Sequence, residues 1–178
     1  MLFKEALAGS LICETPRLIL RKITSEDAES LLQILGDPEV MRFSISGADD
    51  ESGVRKFIDA TLKRYERDGT AQWAVIEKQT QAFIGECGIA VQMIDGQKEY
   101  EIGYRFNRKY WRKGFASEAA IACRDYGFHQ LGQKRLISII EKENIASIGV
   151  AKKVGMTLEK ESVFHNIPVQ IYSMEKNT

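Results

Sequence analysis

The chain has 178 residues, the length of one ordinary α/β domain and short for two. Its 25 Lys and Arg are balanced by 25 Asp and Glu, so no basic excess marks it for nucleic acid or an anionic membrane surface. With 44% apolar residues it is neither a disordered chain nor an acidic tail.

Three widely spaced cysteines, Cys13, Cys87 and Cys123, write neither a disulfide framework nor a CxxC pair, which points to a reducing compartment. His129 and His165 have no cysteine nearby, so no metal site is expected.

Residues 1–13 read as an N-terminal extension and 14–178 as the domain. Ala6 to Cys13 is a short apolar run, with Ile12 where a lipoprotein cleavage site wants a small residue. It reads as the start of a cytoplasmic protein rather than a secretory signal. No apolar run approaches the roughly 18 residues of a membrane span.

After Pro16, residues 17–23 (RLILRKI) predict a strand. Thr24 followed by Asp27 marks a helix start, and Ala28, Leu31, Leu32 and Leu35 repeat at helical spacing until Gly36 and Pro38 stop it. Residues 51–68 predict a more polar helix ending at the Asp68-Gly69 turn. Strands over 72–77, 82–91 and 99–106 follow, joined at Gln79–Gln81 and Asp95-Gly96, and short connections of this kind predict antiparallel pairing. A helix over 115–130, a strand at 135–140, a helix over 145–154 and strands near 157–163 and 168–174 complete the chain. The expectation is a single α+β domain, with a mixed, mostly antiparallel sheet of about seven strands and about four flanking helices.

The chemistry is densest over 99–120. Ile102, Tyr104 and Phe106 alternate with Glu101, Gly103 and Arg105, giving a strand with one apolar and one polar face. It runs through Arg112-Lys113-Gly114-Phe115-Ala116-Ser117 into a helix. A helix N-terminus presents unpaired N–H groups and the positive end of its dipole, Gly114 allows close backbone approach, and Ala116 keeps the approach clear. Five Arg or Lys and no acid between 105 and 113 make a local electropositive mouth. Neither GxxxxGK[ST] nor GxGxxG is present, so two other phosphate loops are excluded, and a structural tight turn is the competing reading.

Lys113-Gly114-Phe115-Ala116-Ser117-Glu118-Ala119, after Glu101-Ile102-Gly103-Tyr104, resembles the acetyl-CoA motif of the GNAT N-acetyltransferases, and more closely their RimJ/RimL branch. Gly114 and Ala116 fill the later places of the pattern Gln/Arg-x-x-Gly-x-Gly/Ala, while Trp111 departs from its first. Glu14-Thr15-Pro16-Arg17-Leu18, Asp37-Pro38-Glu39-Val40-Met41 and Asn144-Ile145-Ala146-Ser147-Ile148 with Lys153-Val154-Gly155-Met156 resemble further segments of the branch, so the likeness spans roughly 14–174.

The resemblance implies a V-shaped splay between the strands at 99–106 and 135–140. It implies acetyl-CoA as cosubstrate, with pantetheine against the backbone of Tyr104, Arg105 and Phe106 and pyrophosphate on the amides of 112–117, flanked by Asn144 and Ser147. It also implies an amine acceptor, a protein N-terminus or a small amine, without nucleic acid or membrane, in a monomer or homodimer. A non-catalytic module binding CoA or acyl-CoA is the alternative.

Several relatives of this kind carry a general base where Glu101 stands; an exposed strand glutamate paired with an arginine is the other reading, and Glu86 is a competitor for the role. The tyrosine that many members place seven residues after the asparagine is here Ala151. Ser147 is then the substitute proton donor, unless it serves only to cap its helix alongside Asn144.

Overall fold

The computed structural model describes residues 10–177. Eight strands form one open sheet: β1 (Leu11–Glu14), β2 (Leu18–Lys22), β3 (Gln72–Glu77), β4 (Phe83–Ile94), β5 (Gln97–Phe106), β6 (Arg135–Ile140), β7 (Thr157–Phe164) and β8 (Ile167–Glu175), in the order β1-β2-β3-β4-β5-β6-β8-β7. All neighbours pair antiparallel except β5 and β6, which run parallel. The helices are α1 (Ala28–Leu35), α2 (Glu51–Asp68), α3 (Phe115–His129) and α4 (Ile145–Val154).

Local chemistry explains where these elements begin and end. The Thr24 N–H donates to Asp27 Oδ2 at 2.8 Å ahead of α1, completing a capping box. Asp50 accepts from the Gly53 N–H at 2.8 Å to open α2, and Gly69, at φ 73°, closes it. Asp95 and Gly96 both take positive φ (51° and 74°), the two-residue hairpin turn that matches strand twist. That turn holds the ladder together to its tip, so β4 and β5 meet at Ile94 and Gln97 rather than stopping at 91 and 99.

The sheet is covered on both faces. On one, Leu18, Leu20, Trp73, Val75, Ile89 and Ile102 pack against Phe115, Ala119 and Phe128 of α3 and Ala151 and Val154 of α4. On the other, Ile19, Ala74 and Ile76 pack under Leu31, Ile34 and Leu35 of α1 and Val54 and Ile58 of α2. Burial on both faces is why β2 and β3 read as nearly continuous apolar runs.

One strand more is present than expected. Residues 11–13, assigned to the extension from sequence, join Glu14 in β1 and pair antiparallel with β2. Four residues reading LICE carry no alternation by which to see a strand. The rest of the apolar run from Ala6, up to Gly9, lies outside the described residues.

All three cysteines are free, and the Sγ atoms of Cys87 and Cys123 lie 3.3 Å apart in the core. Among the described residues no helix is long and apolar enough to cross a membrane, and no His/Cys/Asp/Glu group is arranged to hold a metal.

Candidate active site

The site begins where two strands part. β5 and β6 share a single register pair, Glu101 with Ile137. Beyond it the ladder ends and the strands diverge. Ser138 Oγ donates to the Ile102 carbonyl at 2.9 Å, and the Trp111 indole Nε1 donates to the Phe106 carbonyl at 2.8 Å. Strand groups alternate in direction, so the backbone of Tyr104, between these two, faces the gap. Of the three residues expected to offer free backbone, Tyr104 therefore does. The Phe106 carbonyl is already taken.

At the mouth of this gap stands the N-terminus of α3. Gly114 occupies the left-handed region (φ 80°) as its N-cap. The N–H groups of Phe115, Ala116 and Ser117 lie in the first turn, where no helical carbonyl precedes them, and so form a ready anion cradle. Arg112 also takes a positive φ (61°), a conformation that a non-glycine residue adopts at a cost. The Phe115 ring is buried in the core, so what this residue offers a ligand is its backbone.

Arg17, immediately before β2, braces the loop from behind. Its Nη1 donates to the Lys113 carbonyl at 2.9 Å, its Nε to Glu118 Oε2 at 2.7 Å, and its guanidinium lies 4.2 Å from the centre of the Phe115 ring. Thr15 Oγ1 donates to Glu118 Oε1 at 2.6 Å. Together they hold the Glu118 carboxyl below the usual carboxylate range despite its partial burial, and their donors satisfy an acid that would otherwise repel an anion at this helix end. Arg17→Ala is expected to weaken acetyl-CoA binding by about tenfold, read by calorimetry, because the loop loses a charge-assisted tie.

The electropositive mouth is smaller than the sequence count suggests. Arg105 Nη1 pairs with Glu86 Oε1 at 2.9 Å, and Arg108 Nε pairs with Asp37 Oδ2 at 2.6 Å. Lys109, Arg112 and Lys113 remain of the five, with Lys113 Nζ 5.5 Å from the Tyr110 ring centre. The Arg105 side chain is thus spent on Glu86 and on Ser44 Oγ (3.2 Å), on the α1–α2 face of the sheet, rather than at the anion loop.

Glu101 sits at the last pair before the split. Gln92 Nε2 donates to its Oε2 at 2.9 Å, and the Ile139 N–H is a further donor. Burial nevertheless pushes its carboxyl above the ordinary range, with Gln92, Arg105 and Ile139 opposing in part. Among the described residues no arginine is hydrogen-bonded to Glu101, as the competing reading requires: an amide holds it. Glu86 is the residue that takes the arginine, fully buried.

On the far side of the gap, Asn144 Oδ1 accepts from the Ser147 N–H at 3.2 Å, so Asn144 caps α4 and Ser147 is the residue capped. Asn144→Ala should cost about 1 kcal/mol of stability, measured by denaturant titration. The Tyr104 hydroxyl donates to the Ser147 carbonyl at 3.1 Å and so bridges β5 to α4. Burial raises its pKa. Ala151 is buried in the core.

A family model described as an acetyltransferase (GNAT) domain matches residues 17–157. The chain belongs to the GNAT acetyltransferase family. It is 37% identical over 159 residues to the uncharacterized protein YkkB of Bacillus subtilis (strain 168), covering 89% of this chain and 92% of that one. It is also 37% identical over 155 residues to p20 of Bacillus licheniformis, an uncharacterized N-acetyltransferase, covering 85% and 84%. The crystal structure of a GNAT-family acetyltransferase from Bacillus anthracis superposes with a TM-score of 0.79 at 29% identity, covering 91% of this chain and 96% of that one.

The cosubstrate of a GNAT acetyltransferase is acetyl-CoA. The residues present in this acetyltransferase fit it. The α3 N-terminus suits a pyrophosphate, and the unpaired backbone of Tyr104 suits an amide-bearing pantetheine arm. Of the residues expected from sequence, Glu101, Tyr104, Asn144, Ser147 and the 112–117 loop all border or frame the split. The roles of Arg17, Ser138 and the Tyr104 side chain were not anticipated. A cavity of about 1090 Å³ between β1 and α3, lined by Ile12, Cys13, Ile121, Tyr126 and His129 among others, reaches the brace of the loop at Thr15 and Glu118; neither Glu101, Ser147 nor 112–117 lines it.

Proposed function

We propose that this GNAT acetyltransferase transfers acetyl to the nitrogen of a primary amine, a protein N-terminus or a small molecule, by direct attack within a ternary complex. Acetyl-CoA supplies an activated acyl thioester. The observation that carries the reading is a partly buried carboxylate, Glu101, standing where β5 and β6 part and held above its ordinary pKa by desolvation, with an anion cradle at the mouth of the same gap.

An alkyl ammonium holds its proton with a pKa of about 10 and is not nucleophilic until it gives it up. A carboxylate raised above its usual range is a better-matched proton acceptor than an exposed one, so Glu101 takes the proton from the acceptor nitrogen. The Tyr104 N–H, facing the gap, is placed to donate to developing negative charge on the acyl oxygen. A departing thiolate, near pKa 8.5, needs only a mild donor. We assign that to the Ser147 hydroxyl or a water it holds, since the Tyr104 phenol is engaged with the Ser147 carbonyl.

The reading includes no acyl-enzyme: Cys87 and Cys123 are fully buried against each other. Free thiols and the absence, among the described residues, of a membrane-crossing helix support a cytoplasmic setting.

Calorimetry with acetyl-CoA, CoA and ATP, followed by a thiol-release assay over peptides, polyamines and aminoglycosides, tests this. Binding of both CoA species but not ATP, and thiol release with at least one amine class, is the expected result. Acetyl-CoA binding with no release across the panel would overturn it.

A further inference from the structure

Eight of the eleven arginines pair with a carboxylate. Among the described residues Arg42, Arg64 and Arg112 do not. Arg42 is exposed and lies over its neighbour Phe43, 5.4 Å from the ring centre, and Arg112 stands at the anion cradle. Arg64, toward the end of α2, is partly buried and has neither a hydrogen bond nor an ion pair.

The neighbours of Arg64 set the direction it faces. The Tyr65 hydroxyl donates to the Gln72 carbonyl, and Gln72 shares a rung with Gly88 of β4 and Gly103 of β5. The end of α2 is thereby fixed over the rung two residues from Glu101. Phe57, Arg64 and Asp68 recur at helical spacing along one flank of α2. That flank faces β5: the Lys98 charge acts on Asp68, and the Arg64 charge acts on Glu101. Solvent reaches the space between them. Gly88 and Ala90 of β4 are buried, whereas Glu101, Gly103 and Arg105, which share this face of β5, keep partial exposure.

Arg64 and Glu101 lie in each other's field without contact: no ion pair joins them, and the neutral Gln92 amide holds Glu101. A cation and an anion held apart on one open face are complementary to a zwitterion laid between them in the reverse sense. We propose that the acceptor is a small zwitterion of the amino-acid type, its carboxylate held by the Arg64 guanidinium and its nitrogen presented to Glu101. The proposal rests on the reading of Glu101 in the preceding subsection and names the substrate class. The guanidinium fork takes a carboxylate through two parallel hydrogen bonds. A polyamine instead brings further positive charge toward Arg64 and is disfavoured. The same contact tunes the base. Burial raises the Glu101 carboxyl and Arg64 is among the groups opposing the rise, so a carboxylate that neutralises Arg64 leaves Glu101 a stronger proton acceptor once the acceptor is seated.

The test is thiol release by the whole protein with acetyl-CoA and leucine, methionine, histidine or serine, each against its carboxamide, with spermidine alongside. Calorimetry of the CoA-saturated protein with the same probes reads binding apart from turnover. At least one amino acid is expected to bind and to be acetylated with a kcat/KM about tenfold above that of its carboxamide. Amidation makes the neighbouring nitrogen less basic, so intrinsic chemistry favours the carboxamide, and a preference for the acid comes from the protein. Arg64→Gln should cut that preference about tenfold, and Arg64→Lys, which keeps the charge and loses the fork, should retain part of it. A merely structural role would lower both members of a pair together and leave their ratio in place. The wild-type comparison needs no variant, so misfolding of either substitution does not blunt the test. If the carboxamides, spermidine or another amine without a carboxylate outperform the amino acids throughout, or Arg64→Gln leaves the ratio unmoved, the assignment is overturned while the acetyltransferase reading stands. If CoA fails to bind, or no amine of any class is acetylated, the reading of the preceding subsection falls, and this one with it.

Discussion

Glu101→Gln should lower kcat by about 100- to 10 000-fold and leave the acetyl-CoA Kd unchanged. The substitution keeps the shape of a side chain anchored by Gln92 and removes only its capacity to take a proton. The sign of the pH dependence follows from the raised pKa. As pH falls through that value, which burial sets above the usual carboxylate figure of about 4.3, the wild-type base becomes protonated and kcat/KM declines. The variant lacks this limb. As pH rises from 7 toward 9 more of the amine is neutral without help, so the gap between wild type and variant narrows. A pH-rate profile of both proteins, with any amine that supports thiol release, checks this. A loss of equal size at pH 7 and pH 9 would count against proton removal by Glu101.

The second large effect is at Gly114. Its φ of 80° lies where a side chain costs about 1–2 kcal/mol, and a Cβ there would stand 3.3 Å from Arg17 Nη2, against the very group that braces the loop. Gly114→Val adds branching at the same atom and disturbs both the helix start and Arg17. The acetyl-CoA Kd should rise about tenfold to a hundredfold, read by calorimetry. Gly132→Ala is the control. It has a comparable φ of 64° with nothing within 4 Å, so it strains the backbone elsewhere and leaves the Kd unchanged.

These two residues were visible in the sequence because their signals are local. An alternating strand, a cationic loop with a glycine and a helix start lie within twenty-odd consecutive positions, and periodicity plus turn chemistry is enough to read them. Helices at Glu51–Asp68 and Ile145–Val154 were legible for the same reason, bounded by a capping side chain at one end and a left-handed glycine at the other. Arg17 was legible only as part of a resembling segment: its partners Lys113 and Glu118 are 96 and 101 residues away, and nothing in RLIL announces them. The count of five cations at 105–113 was correct as composition and misleading as charge, since Glu86 and Asp37 come from distant segments to pair with two of them. Local order is written in neighbouring residues; convergence is written in the topology.

The split between β5 and β6 has a mechanical consequence. It leaves a five-strand ladder and a three-strand ladder in one sheet, joined at a single backbone bridge and otherwise by side chains such as Ser138 and Arg135. Rungs that a continuous sheet would use to stiffen itself are held open here. On the reading proposed above, the pantetheine arm supplies them. The cosubstrate is then a structural member as well as a reagent, and each turnover ends with the protein surrendering part of its own framework.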